Sequence, residues 1–280
     1  MTQPQVISIA YLAEFNRLPD GVRERLREQV EAEAVWLAQV DWQTSLGWQP
    51  NDLQVRCFLA LYQKLLVGNC SQNLTRITTP EAFWEKHLWD SLRGLVCLGS
   101  LDELTRTEKR VIDIGTGAGF PGLPTAIACP HWSVTLLDST RKKIAFVASA
   151  IEALALVNVR AVAARSEAVG QQADEREGYD LATLRAIGPA VVCAEYALPL
   201  VKVGGRVVMY RGQWTESETR ELERAAARLG GTIAAVAAFS TPLSQSIRHG
   251  IVLEKHAPTP AEYPRLPGIP NRQPLGVESL

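Results

Sequence analysis

Apolar residues recur every three or four positions through much of the first hundred residues, a pattern typical of amphipathic helices. It predicts helices over 22–40, 53–67 and 80–92. Asp20 stands where it would cap the first helix, Gly68-Asn69 follows the second as a stop signal, and Pro80 suits a first helical turn. A polar connector, 73–79, lies between the second and third helices. The amino-terminal part is therefore predicted to be a helical packing region.

From Arg110 onward, short β-rich segments alternate with helical patterns. The strands are predicted over 111–114, 133–137, 159–163, 181–183, 205–210 and 250–253, and the helices over 144–156, 191–200 and 216–229. Such alternation is typical of a parallel sheet wrapped by helices. We therefore expect an α/β nucleotide-type fold, divided into a helical region over 1–106, a sheet domain over 107–256 and a tail over 257–280.

The composition is that of a globular protein: 280 residues, 46% apolar and 21% charged, with a net charge of -1. The longest apolar stretches, 144–157 and 186–201, contain Glu152 and Glu195 and are shorter than the roughly 18 to 20 apolar residues that a membrane span needs. The first residues show no secretory signal, so we expect a cytoplasmic protein without a membrane segment.

Five widely spaced cysteines, at 57, 70, 97, 129 and 193, form no C-x-x-C pair. They are typical of reduced thiols, and we expect no metal. The tail from Pro258 to Pro274 carries six prolines together with Arg265 and Arg272. It is either a disordered tail or an ordered arm lying over the rest of the protein.

The segment 111–122, Val-Ile-Asp-Ile-Gly-Thr-Gly-Ala-Gly-Phe-Pro-Gly, is the main candidate for chemistry. Glycines after a strand bring bare backbone close to a ligand at the carboxyl edge of a sheet. A dinucleotide fingerprint starting at Gly115 would need glycine at Phe120, and a register starting at Gly117 lies too far beyond the strand. An acid-x-G-x-G-x-G pattern fits better, with Asp113 before Gly115, Gly117 and Gly119.

A second acid, Asp138, ends the next predicted strand. This arrangement favours S-adenosylmethionine as the ligand. Asp113 would lie near its cationic amino or sulfonium group, and Asp138 would accept hydrogen bonds from its ribose hydroxyls. The alternative interpretation is that 115–122 is only a tight turn and that Asp138 is a surface carboxylate without a ligand.

Several separated segments resemble one known family. They are 73–75 (NLT), 86–91 (KHLWDS), 113–124 (DIGTGAGFPGLP), 136–139 (LLDS), 165–167 (RSE), 179–180 (YD), 185–186 (RA), 211–212 (RG) and 263–272 (YPRLPGIPNR). This pattern resembles the bacterial small-subunit ribosomal RNA methyltransferase G family. The resemblance implies a class I S-adenosylmethionine-dependent methyltransferase with a Rossmann-like, mostly parallel sheet and an N-terminal helical extension. It further implies methylation of one guanosine of 16S ribosomal RNA at ring position 7, within the small subunit or an assembly intermediate, by an enzyme that we expect to be a monomer.

The resemblance also implies site residues. Gly115 and Phe120 match the family's glycine-loop contacts, Ser166 and Glu167 its adenine-side pair, and Arg185 its arginine after the fourth strand. One departure is Arg211, where we expect lysine; a planar guanidinium replaces a compact ammonium group.

Position 7 of guanine carries a lone pair, so attack on a methyl group needs positioning and no general base. We therefore predict no catalytic base, and name His87, Arg185 and Arg211 as candidates for positioning the substrate. His87 and Asp90 lie one helical turn apart and either face the site together or cap and bridge helices.

The candidate RNA contacts share a polar or basic side chain at an expected loop or helix end. They are Asn73, Arg141, Lys142, Lys143, Arg211, Arg248, Arg265 and Arg272. Such side chains bind phosphates without reading sequence, although ordinary solvated helix ends look the same. Three alternatives stay open at this point: a methyltransferase of a small molecule or protein, an NAD-dependent oxidoreductase, and a non-catalytic ribosome assembly factor that keeps the cofactor fold.

Overall fold

Seven strands form one mixed sheet in the computed structural model, which describes residues 14–277. The strands are β1 (Arg110–Ile114), β2 (Ser133–Asp138), β3 (Val159–Ala163), β4 (Tyr179–Arg185), β5 (Val201–Arg211), β6 (Gly231–Ser240) and β7 (Ile247–Lys255). Their order is β3-β2-β1-β4-β5-β7-β6. Neighbours from β3 to β5 pair in parallel, whereas β7 is antiparallel to both β5 and β6. The expected α/β fold with a mostly parallel sheet is confirmed.

Helices cover both faces of this sheet. They are α1 (Asp20–Gln39), α2 (Trp42–Leu46), α3 (Asp52–Gln72), α4 (Pro80–Phe83), α5 (Asp90–Leu95), α6 (Leu101–Leu104), α7 (Gly122–Ala128), α8 (Arg141–Ala153), α9 (Ser166–Val169), α10 (Ala190–Ala197), α11 (Glu216–Arg228) and α12 (Ile269–Arg272). A π-helical segment (Trp84–Trp89) joins α4 to α5, and a 3-10 turn (Val96–Leu98) follows α5.

All six predicted strands are present, most of them longer than predicted, and each predicted helix has an observed counterpart. Strand β6 was not predicted. Its exposed positions include Ala234, Val236 and Ala238, so the alternation of apolar and polar residues that indicates a strand is weak there.

Two predictions about helix ends are wrong. Pro19, and not Asp20, is the N-cap of α1; the Asp20 carboxylate instead pairs with Arg23 one turn later. Helix α3 continues past Gly68 and ends at Asn73, which adopts a left-handed φ of 47°. Glycine is needed at position 68 because a Cβ there would lie 2.6 Å from the Phe146 ring of α8. Gly68 is therefore a close-packing residue and not a stop signal.

The amino-terminal helices pack directly onto one face of the sheet. Their buried Trp42, Phe58 and Leu61 belong to the same hydrophobic core as Val111 of β1 and Leu136 of β2. Helices α10 and α11 form a second core on the opposite face. The helical region is thus one layer of a three-layer structure, and it reaches the sheet edge where the strands end.

The proline-rich tail is an ordered arm, and we call residues 258–277 the C-terminal arm. Its carbonyl groups are held by side chains of the sheet domain. Arg176 donates to the carbonyls of Thr259 and Tyr263, both at 2.7 Å, and Arg224 donates to that of Gly276 at 2.8 Å. Of the two alternatives left open by the sequence, the ordered arm is the one observed.

Over residues 14–277, no helix has both the length and the apolar character to cross a membrane. The same residues contain no cluster of three or more His, Cys, Asp or Glu side chains suited to a metal ion. All five cysteines are free thiols, and Cys57, Cys129 and Cys193 are buried.

Candidate cofactor cleft and acceptor pocket

The carboxyl ends of the parallel strands border a cleft of about 350 Å³. The loops that follow β1, β2, β3 and β4 contribute to its wall, as does one residue of α10. The lining residues used below are Gly115, Asp138, Lys143, Arg165, Ser166, Ala186, Gly188 and Tyr196. A crevice at this edge is where open α/β sheets bind ligands. We call it the cofactor cleft.

The three loop glycines all have positive φ, of 68° at Gly115, 61° at Gly117 and 97° at Gly119. Gly115 lines the cleft, and a Cβ there would lie 2.4 Å from the Ile187 side chain. Gly119 packs against Leu123, at 2.3 Å from an added Cβ, and so shapes the turn. The loop therefore brings main chain to the cleft through Gly115 and folds back through Gly119.

Asp113 has a different place from the one expected. It is fully buried beneath the loop, where its carboxylate accepts hydrogen bonds from the backbone N–H of Gly122 at 3.0 Å and the hydroxyl of Thr183 at 2.9 Å. Burial raises the pKa of Asp113 to about 6, against the opposite effect of these hydrogen bonds. The Asp113 side chain is not part of the cleft lining. Its role is to fix the loop.

Asp138 does line the cleft, at the tip of β2. One carboxylate oxygen accepts from the N–H of Gly117 at 3.1 Å and the other from that of Thr140 at 2.8 Å. Lys143 of α8 lies 3.8 Å from the first oxygen. A carboxylate oxygen accepts more than one hydrogen bond, so Asp138 retains acceptor capacity toward the cleft.

Of the predicted adenine-side pair, Ser166 lines the cofactor cleft and the Glu167 side chain does not. Ser166 lines the cleft and donates to the carbonyl of Tyr196 at 2.7 Å. Glu167 is buried and turns away, accepting a hydrogen bond from the N–H of Gly268 in the C-terminal arm at 2.9 Å. The Glu167 side chain therefore binds the arm, and only its main chain is left to take part in an adenine-side contact.

Phe120 and His87 stack on each other beside the cleft and not within it. Their ring centroids lie 4.1 Å apart with the planes 15° from parallel, and both side chains are buried. The Phe120 side chain therefore packs beside the cleft, and a contact of Phe120 with a cofactor would involve its main chain. Burial, with the nearby charges of Arg185 and Lys86, lowers the pKa of His87 well below its usual value. A neutral, buried His87 supports the neighbouring residues.

Arg185, at the end of β4, joins the sheet to the π-helical segment. Its guanidinium donates to the carbonyl of Lys86 at 2.7 Å and to Asp90 at 3.0 Å, and lies 3.4 Å from His87 Nδ1. Of the alternatives for His87 and Asp90, bridging between elements is the one observed. π-Helical turns occur often at functional sites, and this one turns His87 and Asp90 toward the same arginine.

A second cavity of about 250 Å³ adjoins the first. Its lining residues are Asp90, Arg185, Ala186, Tyr210, Arg211, Gly212, Phe239, Arg248 and His249. Ala186, in a left-handed conformation with φ 57°, lines both cavities. Arg211 donates to the carbonyl of Gly188 at 2.8 Å, while its buried Nε has no partner among residues 14–277. We call this cavity the acceptor pocket.

The structure brings together only some of the predicted RNA contacts. Arg211 and Arg248 line the acceptor pocket, and Lys143 lines the cofactor cleft. The remaining exposed members are Asn73 at the end of α3, Arg141 and Lys142 at the start of α8, and Arg272 on the arm.

Arg265, predicted to contact RNA, is bound to a glutamate of the same chain. Its guanidinium forms a two-pronged contact with Glu195, at 2.9 Å from Nε and 2.6 Å from Nη2, and the Glu195 side chain is only 1% exposed. These hydrogen bonds raise the pKa of Arg265. The Nε and Nη2 donors of Arg265 are therefore occupied within the chain.

Gly188, Tyr196, Tyr210 and Phe239 are among the lining residues that the sequence did not predict. Tyr196 and Tyr210 lie inside predicted elements without a motif around them, and Phe239 lies in the strand that was not predicted. The available signal was positional, since Tyr210 comes just before Arg211, at the carboxyl end of a strand.

A family model described as rRNA small subunit methyltransferase G matches residues 54–248. The chain belongs to this family. The curated ribosomal RNA small subunit methyltransferase G of Synechococcus sp. (strain JA-3-3Ab) is 56% identical over 251 residues, which cover 90% of this chain and 95% of that protein. The methyltransferase G of Gloeobacter violaceus is 54% identical over 236 residues, which cover 84% of this chain and 92% of that protein. The predicted family is confirmed.

Solved structures are more distant. A mutant of the 16S rRNA (adenine(1408)-N(1))-methyltransferase from Catenulisporales acidiphilia is 18% identical, with a TM-score of 0.44 over 56% of this chain and 90% of that one. M. jannaschii TYW2 in complex with AdoMet is 12% identical, with a TM-score of 0.42 over 58% of this chain and 77% of that one.

Proposed function

We propose that this protein transfers the methyl group of S-adenosylmethionine to ring position 7 of one guanosine in 16S ribosomal RNA. The substrate is the small ribosomal subunit or an assembly intermediate, and the enzyme acts as a cytoplasmic monomer. Membership of the methyltransferase G family supports the reaction class. The choice of guanine and of position 7 rests on the family resemblance in the sequence.

One observation carries the proposal: two adjoining cavities meet at Ala186 on the carboxyl edge of the sheet. The cofactor cleft is walled by main chain and the Asp138 carboxylate. The acceptor pocket is walled by cationic and aromatic side chains, among them Arg211 and Phe239. A methyl-transfer enzyme needs its donor and its acceptor side by side, and an RNA acceptor brings both negative charge and a flat base.

The residues of the cofactor cleft fit S-adenosylmethionine. Close main-chain approach at Gly115, where a Cβ would collide with Ile187, suits a nucleoside packed against the loop. Asp138 would accept from ribose hydroxyls at the tip of β2, and Ser166 and Tyr196 would border the base. When bound there, S-adenosylmethionine supplies an electrophilic methyl group.

The acceptor pocket would hold the base and exclude water. Arg211, with its buried Nε–H free among the described residues, would donate to a guanine acceptor such as O6, while Phe239 and Tyr210 supply apolar and aromatic surface. Asp90 also lines this pocket and carries the carboxylate that would face positive charge developing on the methylated ring. No side chain has to remove a proton, and His87 belongs to the lining of neither cavity.

RNA affinity would come from few contacts. A net charge of -1 gives little general attraction for polyanions, so the folded RNA of the subunit is expected to supply recognition through shape and unpaired bases. The exposed Arg141, Lys142 and Arg272 would add phosphate contacts around the two cavities.

The deciding experiment supplies methyl-labelled S-adenosylmethionine to purified enzyme with 30S subunits from cells lacking the endogenous methyltransferase, with naked 16S RNA alongside. We expect label in 7-methylguanosine at one site and a preference for the subunit. Label in another nucleoside would refute the proposed product. Cofactor binding without RNA label would refute the RNA reaction and favour a different acceptor or an assembly factor.

A further inference from the structure

The C-terminal arm lies directly behind one wall of the cofactor cleft. Ser166, Gly188 and Tyr196 are part of that wall. The chain neighbours of Ser166 and Tyr196 form hydrogen bonds with the arm, and Gly188 lies beside Asn271 of the arm. Glu167, next to Ser166, accepts from the N–H of Gly268 at 2.9 Å. At Gly188, an added Cβ would lie 3.9 Å from the side-chain oxygen of Asn271.

Glu195, next to Tyr196, makes the third and strongest link. Its carboxylate accepts three hydrogen bonds from Arg265 at 2.6 to 2.9 Å, from the backbone N–H, Nε and Nη2. Arg265 also donates to the carbonyl of Gln273 at 2.8 Å, which closes the arm on itself. Two-pronged arginine–carboxylate pairs combine strength with fixed geometry, and the Glu195 side chain is only 1% exposed.

The wall segments are also tied to each other. The Ser166 hydroxyl donates to the Tyr196 carbonyl at 2.7 Å, so the start of α9 is bonded to α10. Helix α9 has only four residues and, within the described part of the chain, no side-chain cap. Such a short element has little stability of its own, so its position depends on partners outside it. Gly268 and Arg265 of the arm hold the two sides of this wall together.

We propose that the C-terminal arm is a positioning element for the nucleoside end of the cofactor, with Arg265 as its principal residue. This inference rests on the proposed function for the identity of the ligand. Neither Arg265 nor Glu195 touches the ligand; they act through Tyr196, Ser166 and Gly188. Releasing the arm weakens cofactor binding and leaves the transfer step intact. Its effect on RNA binding is limited to the single phosphate contact proposed for Arg272.

The test measures binding of S-adenosylhomocysteine by calorimetry and the kinetics of methylation of 30S subunits. For Arg265→Ala we expect an affinity about tenfold weaker, because a buried charge-assisted contact is lost. The KM for S-adenosylmethionine rises by a similar factor with kcat unchanged, and the KM for subunits changes less than the KM for S-adenosylmethionine. Arg265→Lys, which keeps the charge and loses the fork, recovers part of the affinity. Hydrogen exchange over 258–277 reports release of the arm.

Two variants keep the outcome interpretable. The double variant Glu195→Ala/Arg265→Ala leaves no unpaired buried carboxylate, so it separates release of the arm from general unfolding. Leu266→Ala is the matched control, because Leu266 lies on the same arm and is 78% exposed. We expect the double variant to bind as weakly as Arg265→Ala and the control to bind as tightly as the wild type.

Unchanged S-adenosylhomocysteine affinity in Arg265→Ala and in the double variant overturns the inference, whether or not hydrogen exchange shows the arm released. A raised KM for subunits with unchanged affinity also overturns it and assigns Arg265 to RNA binding. A wild-type protein that binds no S-adenosylhomocysteine refutes the proposed function itself, a result distinct from either of these.

Discussion

The cofactor cleft and the acceptor pocket share Ala186 and one sheet edge, yet they are built differently. In the cleft, the acids are satisfied within the chain: Asp113 holds Gly122 and Thr183, and Asp138 holds Gly117. The wall is formed largely by residues of the loops that follow the parallel strands, and hydrogen bonds within the chain hold these loops. Preorganised polar groups of this kind suit a small ligand of constant shape.

The acceptor pocket keeps donors available. The buried Nε of Arg211 has no partner within residues 14–277, Arg248 donates to the carbonyl of its neighbour Ile247 at 3.2 Å, and both arginines line a cavity of about 250 Å³. Long cationic side chains adapt to their ligand, and unpaired buried donors are costly until one binds. The pocket is therefore completed by an anionic or acceptor-rich partner, whereas the cleft is complete by itself. Substitutions in the two regions should affect different substrates.

Arg185 stands at the border between the two regions, and its loss should have the largest effect. Arg185→Ala leaves the buried Asp90 without its cation and detaches the π-helical segment from β4. We expect catalytic efficiency to fall by more than about a hundredfold, affecting the KM values for both substrates, with a stability loss of about 3 kcal/mol. Steady-state kinetics and chemical denaturation measure both.

Arg185→Lys is the informative control, since it keeps the charge but cannot donate to Lys86 and Asp90 together in the same geometry. An effect of Arg185→Ala confined to one substrate would contradict its position at the border.

Asp138→Ala should separate the two regions more cleanly. It removes the acceptor at the tip of β2 and frees the N–H groups of Gly117 and Thr140. We expect cofactor affinity to fall by a factor of about 10 to 100, while affinity for RNA is unchanged. Calorimetry with S-adenosylhomocysteine measures the cofactor affinity, and filter binding measures the RNA affinity. Asp138→Asn, which keeps one acceptor, should lose less, and equal losses for both ligands would refute the separation.

Arg211→Ala and Arg248→Ala should weaken the use of RNA and leave cofactor binding unchanged. Each removes a cation from the acceptor pocket, so we expect the KM for subunits to rise about tenfold and the KM for S-adenosylmethionine to stay constant. If Arg248 contacts a phosphate, the dependence of RNA affinity on salt also weakens, by about one in the logarithmic slope. Arg220→Ala, on the exposed face of α11, is the control. Salt dependence identical to that of the wild type would exclude a phosphate contact.

The same contrast explains what the sequence could predict. The glycine loop and Asp138 are local features at strand ends, and parallel strands bring their carboxyl ends to one edge, so pattern alone located the cleft. The side-chain contacts that the pattern did not predict involve distant partners. Glu167 binds Gly268 across 101 residues, and Arg265 binds Glu195 across 70. Nothing near Arg265 distinguishes an arginine that binds a buried glutamate from one that binds phosphate.

The acceptor pocket was only partly predictable for a related reason. Arg211 and Arg248 stood out by charge, but Phe239 depends on β6, whose alanine-rich sequence gives a weak pattern, and on its antiparallel pairing with β7. Side chains that converge from β4, β5, β6 and β7 are specified by tertiary pairing. The helix end at Asn73 shows the same limit, since Gly68 was read by its propensity while its position is decided by the Phe146 ring.

The smallest effect on activity is expected from Asp113, whose contribution is a pH dependence of stability. Burial raises its pKa from 3.8 to about 6, so the folded protein binds the proton more tightly than the unfolded chain does. This contribution is fully present below about pH 4 and is lost as the pH rises through about 6, by about 3 kcal/mol in total. Asp113→Asn cannot titrate and should lack this component.

The measurement compares the free energies of unfolding of the wild type and Asp113→Asn by denaturant titration between about pH 4 and pH 8. Subtracting one curve from the other cancels the groups that both proteins share. The difference should change between about pH 4 and pH 6.5, with the wild type losing ground to the variant as the pH rises, and stay flat above about pH 7. A flat difference over the whole range would mean that the hydrogen bonds from Gly122 and Thr183 keep the buried carboxylate ionised. In that case the loop beneath the cleft would contain a buried charge whose hydrogen bonds all come from the chain itself. The acceptor pocket would differ even more clearly, because the Arg211 Nε has no partner within residues 14–277.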